Sequence, residues 1–179
     1  MLPLAAGIAA YLMAGRAFRP ALWWTGTFLA GLGFVALSKL IFLGWSISIP
    51  GLSFQALSGH AFRVASVIPT LFFLMLQPTS EFAAKRGVVV GITTSLCIDL
   101  LLVYFRFHTF SEVIASTILG FGACLIFIRF AGKSAFSTRK VRSALCAMIA
   151  IIVVFLISPW SYNHRLIDIA IYLSGKDSP

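Results

Sequence analysis

Charge is what this chain has least of. Aspartate and glutamate together number 5 in 179 residues, and all charged residues make up 11%. A soluble domain is typically about a quarter charged, so a soluble globular protein is excluded. Cysteine is scarce too. Cys97, Cys124 and Cys146 each fall inside an apolar run, and no two have metal-ligand spacing. That removes a zinc site and a disulfide scaffold, and leaves three small buried hydrophobes as the reading. There is no basic stretch ahead of the first apolar run, which therefore reads as a retained helix and not a cleaved signal. Internal repeats and low-complexity segments are missing as well.

What remains is apolar. Hydrophobic residues make up 60% of the chain. A spanning helix needs roughly 20 such residues in a row. The pattern predicts an all-α integral membrane protein: one domain over residues 1–179, with about six transmembrane helices in a bundle. The expected spans are Leu2 to Ala17, Ala21 to Phe42, Gly59 to Leu76, Gly87 to Phe105, Ser111 to Phe130 and Ala144 to Ile157. Arg16 and Arg19-Pro20 close the first. Trp23, Trp24 and Trp45 read as interfacial belt residues. Gln77 to Glu81 with Lys85-Arg86 read as a turn. The patch Leu166 to Leu173 is too short to span and reads as an interfacial C-terminal helix.

The net charge of +9 would point to nucleic acid in a soluble protein. Here the charge sits in loops between apolar runs, so it reports orientation, and the membrane is the partner. Six spans put Arg16, Arg19, Lys85, Arg86, Arg129, Lys133, Arg139, Lys140 and Arg142 on one face. Lys39, Arg63, Arg106, Arg165 and Lys176 lie on the other, nine against five. Cytoplasmic loops carry the excess of Lys and Arg. The five-charge face is then external, or periplasmic if the membrane is a bacterial inner membrane.

That external face collects the polar residues. Ser58-Gly59-His60 opens a helix after the Pro/Gly/Ser-rich segment 46–53. Free N–H groups and the dipole at a helix start suit an anion such as phosphate. Ser58 is a good N-cap. Lys39 and Arg63 add charge. After the fourth helix come Arg106 and His108, with Glu112 four residues beyond His108 on the same helical face. A carboxylate there can hold one imidazole nitrogen and leave the other as nucleophile or base. Two histidines and several cations at one membrane boundary suit phosphoryl chemistry. Asp99, inside the fourth span, is costly without a partner; an ion pair with Arg63 or Arg106 is expected.

These residues carry a resemblance. Leu57-Ser58-Gly59-His60-Ala61, the run His108-Thr109-Phe110-Ser111-Glu112, and Lys39 with Gly44-Trp45 together resemble the membrane-bound type 2 phosphatidic acid phosphatase family, related to vanadium haloperoxidases. The closest likeness is a bacterial subgroup with a Ser-Glu ending in its third motif. The resemblance covers residues 39 to 120, the catalytic-like core. Lys39 lies 19 residues before Ser58, and His108 lies 48 after His60. It implies a metal-independent lipid phosphatase that needs no cofactor and takes a lipid phosphate or polyprenyl pyrophosphate as substrate. His108 would form a phosphohistidine, Glu112 would orient it, and His60 would protonate the leaving group. Lys39, Ser58 and Gly59 would hold phosphate. The family's Arg-Pro falls on Ser46-Ile47 here, and its Ser-Arg on Leu101-Leu102. Arg63 and Arg106 are the cations available in their place. The alternatives are a lipid phosphotransferase, and a catalytically decayed lipid-phosphate binder or membrane-complex subunit on the same fold.

Overall fold

The computed structural model describes residues 1–45, 56–77 and 79–131. The described chain is helical throughout: α1 (Leu2–Ala14), α2 (Phe18–Trp45), α3 (Gly59–Leu76), α4 (Glu81–Tyr104) and α5 (Phe110–Ala131). Four of these, α2 to α5, are long and apolar enough to cross a membrane. This is a helical membrane protein. α1, at 13 residues, reaches only roughly 20 Å at 1.5 Å per residue. The expected sixth span and the C-terminal interfacial helix lie outside the described residues.

The helix ends follow from capping. α1 stops at Ala14, not Ala17, because Arg16 N–H donates to the Met13 carbonyl and Ala17 N–H to the Leu12 carbonyl. This is the Schellman arrangement, with the residue after the cap left-handed; Arg16 has φ 59°. Pro20 was expected to close the first helix. Instead it sits in the first turn of α2, where a missing N–H costs nothing because that N–H has no partner in a helix. α2 then runs on to Trp45, three residues beyond expectation. α3 matches its expected bounds. α4 begins at Glu81, not Gly87, since Ser80 caps it by accepting from Ala83 N–H at 3.0 Å. Lys85 and Arg86 therefore lie on the helix and not in a turn, with Lys85 3.6 Å from Glu81 one turn back. α5 is one residue longer at each end.

α3 is the central element and packs on both α4 and α5. Two-thirds of its length is buried, against less than two-fifths for α2, α4 or α5. Lipid offers helices no hydrophobic drive to associate, so close backbone packing has to supply it, and small residues at the contacts allow it. On α4, Ala84, Gly87, Gly91, Ser95 and Asp99 are buried at helical spacing. A Cβ on Gly91 would fall 2.5 Å from Pro69 Cα, and one on Gly87 2.7 Å from the Phe72 carbonyl oxygen. On α5, a Cβ at Gly120 would fall 2.7 Å from the Phe62 carbonyl oxygen. Phe62 itself fills the notch left by Gly31 on α2.

Trp24 corrects the belt assignment. It is only 1% exposed. Its indole N–H donates to the Ala5 carbonyl at 2.9 Å and ties α1 to α2. Trp23 does face outward, stacked on Phe130 at 4.1 Å. Cys124 is buried as expected, whereas Cys97 lies on the outer surface of α4.

Replacing Gly91 by Val should lower stability by about 1–3 kcal/mol, since backbone cannot yield as a side chain does. Gly122 has nothing within 4 Å of a built Cβ. Gly122→Ala should be neutral or stabilise by up to about 1 kcal/mol through helix propensity. Thermal unfolding of both in one detergent checks the contrast. Equal melting temperatures would show that the α3–α4 contact is looser than described.

Candidate functional site

The site is assembled where α3 and α5 begin and α2 ends. Ser58 caps α3: its Oγ accepts from Ala61 N–H at 3.3 Å. It is fully buried. Its own N–H donates to Ser116 Oγ on α5 at 2.7 Å, and that hydroxyl donates onward to the Glu112 carbonyl at 2.6 Å. One serine thus fixes the start of α3 against the first turns of α5. The chain entering α3 is held from the other side, where Ser38 Oγ of α2 accepts from Leu57 N–H at 3.0 Å.

α5 opens with a reciprocal cap. Thr109 Oγ1 faces Glu112 N–H at 3.5 Å, and the Glu112 carboxylate accepts from Thr109 N–H at 3.3 Å. This is a capping box. The same carboxylate oxygen lies 3.1 Å from His108 Nδ1. Glu112 is buried and His108 partly so. A carboxylate accepts only, so Nδ1 carries the hydrogen and Nε2 is left with its lone pair free. Across the gap, the His60 ring stands 6.4 Å from the His108 ring, centroid to centroid. His60 is exposed.

Cations surround this pair. Arg63 lies one turn below Gly59, and its Nε donates to the Gly59 carbonyl. Its guanidinium would sit 3.6 Å from a Cβ built on Gly59. That space would accept the Cβ, so Gly59 is not sterically required for the helix itself. Lys39 is half-buried and within the fields of Arg63 and Glu112. His60 is within those of Arg63, His108, Lys39 and the Met1 amino group. Burial first, then Arg63, lowers the pKa of that amino group from its ordinary value. Lys39 and Arg63 carry two charges against the one of Glu112, so the cluster is net positive and suits an anion.

The structure therefore brings Lys39, Ser58, Gly59, His60, Arg63, His108 and Glu112 to one end of the bundle. Two expected members stand apart. Arg106 is exposed on the turn after α4, with φ 57°, and its side chain makes no hydrogen bond or ion pair among the described residues. Asp99 does not pair with an arginine. It is 3% exposed and accepts from Thr117 Oγ1 of α5 at 2.6 Å. Its place on the inner face of α4, between one and two turns before the helix end, turns it toward α5, while Arg63 folds back over the first turn of α3.

Ser38, Ser116 and Thr117 were not foreseen as parts of this framework. Ser116 lies four residues after Glu112, and Thr109 three before it, so the Thr-x-x-Glu pattern of a capping box was present in the sequence. Ser38 carries no comparable signal, because its partner is 19 residues away.

No protein-family model matches the chain, and no solved structure matches it. The chain is 30% identical over 129 residues to an uncharacterized 22.5 kDa protein in the cps region of Klebsiella pneumoniae. The match takes in 72% of this chain and 62% of that relative, so the chain spans less than two-thirds of the relative's length.

Removing the Ser116 hydroxyl would strand the buried Ser58 N–H. Ser116→Ala should cost about 1–3 kcal/mol in stability, the desolvation penalty of an unpaired donor. Thr94→Ala, which removes an exposed hydroxyl bonded only within α4, should cost far less. Chemical or thermal unfolding in detergent compares them. Equal losses would show that the link between α3 and α5 is not held through Ser116.

Proposed function

We propose that the protein is a metal-independent phosphatase of lipid phosphates or polyprenyl pyrophosphates, working through a phosphohistidine. The observation that carries this reading is the His60–His108 pair with Glu112 on His108 Nδ1. His108 Nε2 attacks phosphorus on one side. The bond from phosphorus to the leaving oxygen breaks on the other, and His60 gives that oxygen a proton. Water, deprotonated by His60, then breaks the P–N bond and releases inorganic phosphate. Lys39 and Arg63 offset charge on the phosphoryl oxygens, and the first N–H groups of α3 point the same way. Glu112 holds the ring through Nδ1.

The resemblance to type 2 phosphatidic acid phosphatases supports the same assignment and adds the lipid nature of the substrate. The Klebsiella relative, itself uncharacterized, adds no activity. The reading takes about six spans from the lengths of the apolar runs, an inner membrane as the location, and an external or periplasmic site face from the distribution of basic residues. A phosphotransferase would use the same first step with an acceptor other than water.

A second reading has its own support. Glu112 already closes a capping box, and Ser58 is buried as a cap. Both are explained by helix structure alone, and the family's two arginines are absent. A lipid-phosphate binder or membrane-complex subunit on this scaffold would keep the charge and need no nucleophile.

Phosphate release separates the two. Purified protein in detergent without metal should release phosphate from phosphatidic acid, phosphatidylglycerol phosphate or undecaprenyl pyrophosphate. His108→Ala should reduce release to background while leaving the protein folded. Folded wild-type protein that binds these lipids and releases nothing would establish the binder.

A further inference from the structure

Among the described residues only Arg16 and Arg106 adopt positive φ without being glycine. Both occupy the same place in the same motif. After α4, Arg106 N–H donates to the Val103 carbonyl and Phe107 N–H to the Leu102 carbonyl. After α1, Arg16 and Ala17 make the equivalent pair of bonds. This position disfavours any residue with a Cβ, and glycine is the usual occupant where a helix ends this way. An arginine there stands against its backbone preference. The two helix ends lie at opposite ends of the bundle, one at each expected headgroup level.

Arg106 has surroundings that give its side chain a use. Tyr104, Phe105, Phe107 and Phe110 flank it, each at least 60% exposed. Phe105 touches the rings of Tyr104 and Phe107. Exposed aromatic rings at the end of a spanning helix sit at the level of lipid headgroups. A guanidinium among them is at phosphate height and free to take a planar, bidentate grip. His108, two residues on, is held inward by Glu112. The turn therefore presents one cation to the bilayer and one imidazole to the site.

We propose that the α4–α5 turn is a lipid-capture prong. The aromatic rings anchor it in the outer interface, and Arg106 takes the phosphate monoester headgroup of an anionic lipid directly from the bilayer. It is a capture residue at the rim and not part of the His60–His108 machinery. Delivery to that machinery rests on the phosphatase reading; capture does not.

The backbone geometry supplies a clean test. Arg106→Gly removes the guanidinium and relieves the left-handed position, so the variant should melt at or above the wild type. The full chain, reconstituted in nanodiscs of phosphatidylcholine with a phosphonate analogue of phosphatidic acid, which a phosphatase does not cleave, and re-extracted, should retain the analogue in excess of its input share. Arg106→Gly should lose that enrichment several-fold, and Arg106→Lys should keep most of it. Enrichment unchanged in Arg106→Gly would overturn the proposal. A lower melting temperature for Arg106→Gly would overturn its geometric basis. Enrichment that depends on Arg106 in a protein releasing no phosphate would remove the phosphatase reading alone. Phosphate release with enrichment indifferent to Arg106 would remove the capture proposal alone.

Discussion

The approach of α3 to α4 and α5 is the constraint on which the rest depends. Three glycines, Gly87, Gly91 and Gly120, set it, each where a Cβ would meet backbone of α3. Packing this close is what a bilayer permits as a source of cohesion, because apolar side chains are as well solvated by lipid as by one another. It also brings polar side chains within reach across helices. Ser95 Oγ can meet the Val64 carbonyl at 3.2 Å, and Ser116 Oγ can take the Ser58 N–H. The site is a consequence of that depth of packing. His60 stands on the first turn of α3 and His108 just before α5, so their separation is set by how those two helix starts are clamped.

Glu112 joins structure to chemistry. It caps α5 through Thr109 N–H and holds His108 through Nδ1 with the same oxygen. A side chain with two such duties couples the shape of the helix start to the direction of the imidazole. Its burial keeps water from competing for either contact. Lys39 and Arg63 then outweigh its charge, and the opening of α3 carries a positive balance. In the proposed reading, capture at the rim by Arg106 and transfer at His60 and His108 are separate tasks for separate residues.

Much of this was legible in the sequence. Apolar run length marked the four spanning helices, and Ser58 marked the start of α3. The Lys39, His60, Arg63, His108 and Glu112 grouping followed from which helix ends share a face. What escaped had physical reasons. Pro20 was read as a stop, though a proline is equally at home in a first turn. Trp24 was assigned to the interface by type, while its indole N–H found a buried carbonyl on α1. The cost of a buried charge suggests an arginine for Asp99, whereas the Thr117 hydroxyl meets one carboxylate oxygen and the other is buried without a hydrogen-bond partner among the described residues. Ser38 bonds to the chain entering α3 and Thr117 to α4, and such long-range pairs leave no periodic trace in a single chain.

The most direct measurement is to trap the covalent intermediate. His60 is assigned the proton to the leaving group and the activation of water. With a substrate whose leaving group needs no proton, such as a nitrophenyl phosphate, His60→Ala should complete the first half-reaction and stall in the second. Mass spectrometry under alkaline conditions should then find an acid-labile phosphoryl group on His108. Its absence from His108, or its presence on another residue such as Ser58, would contradict the account.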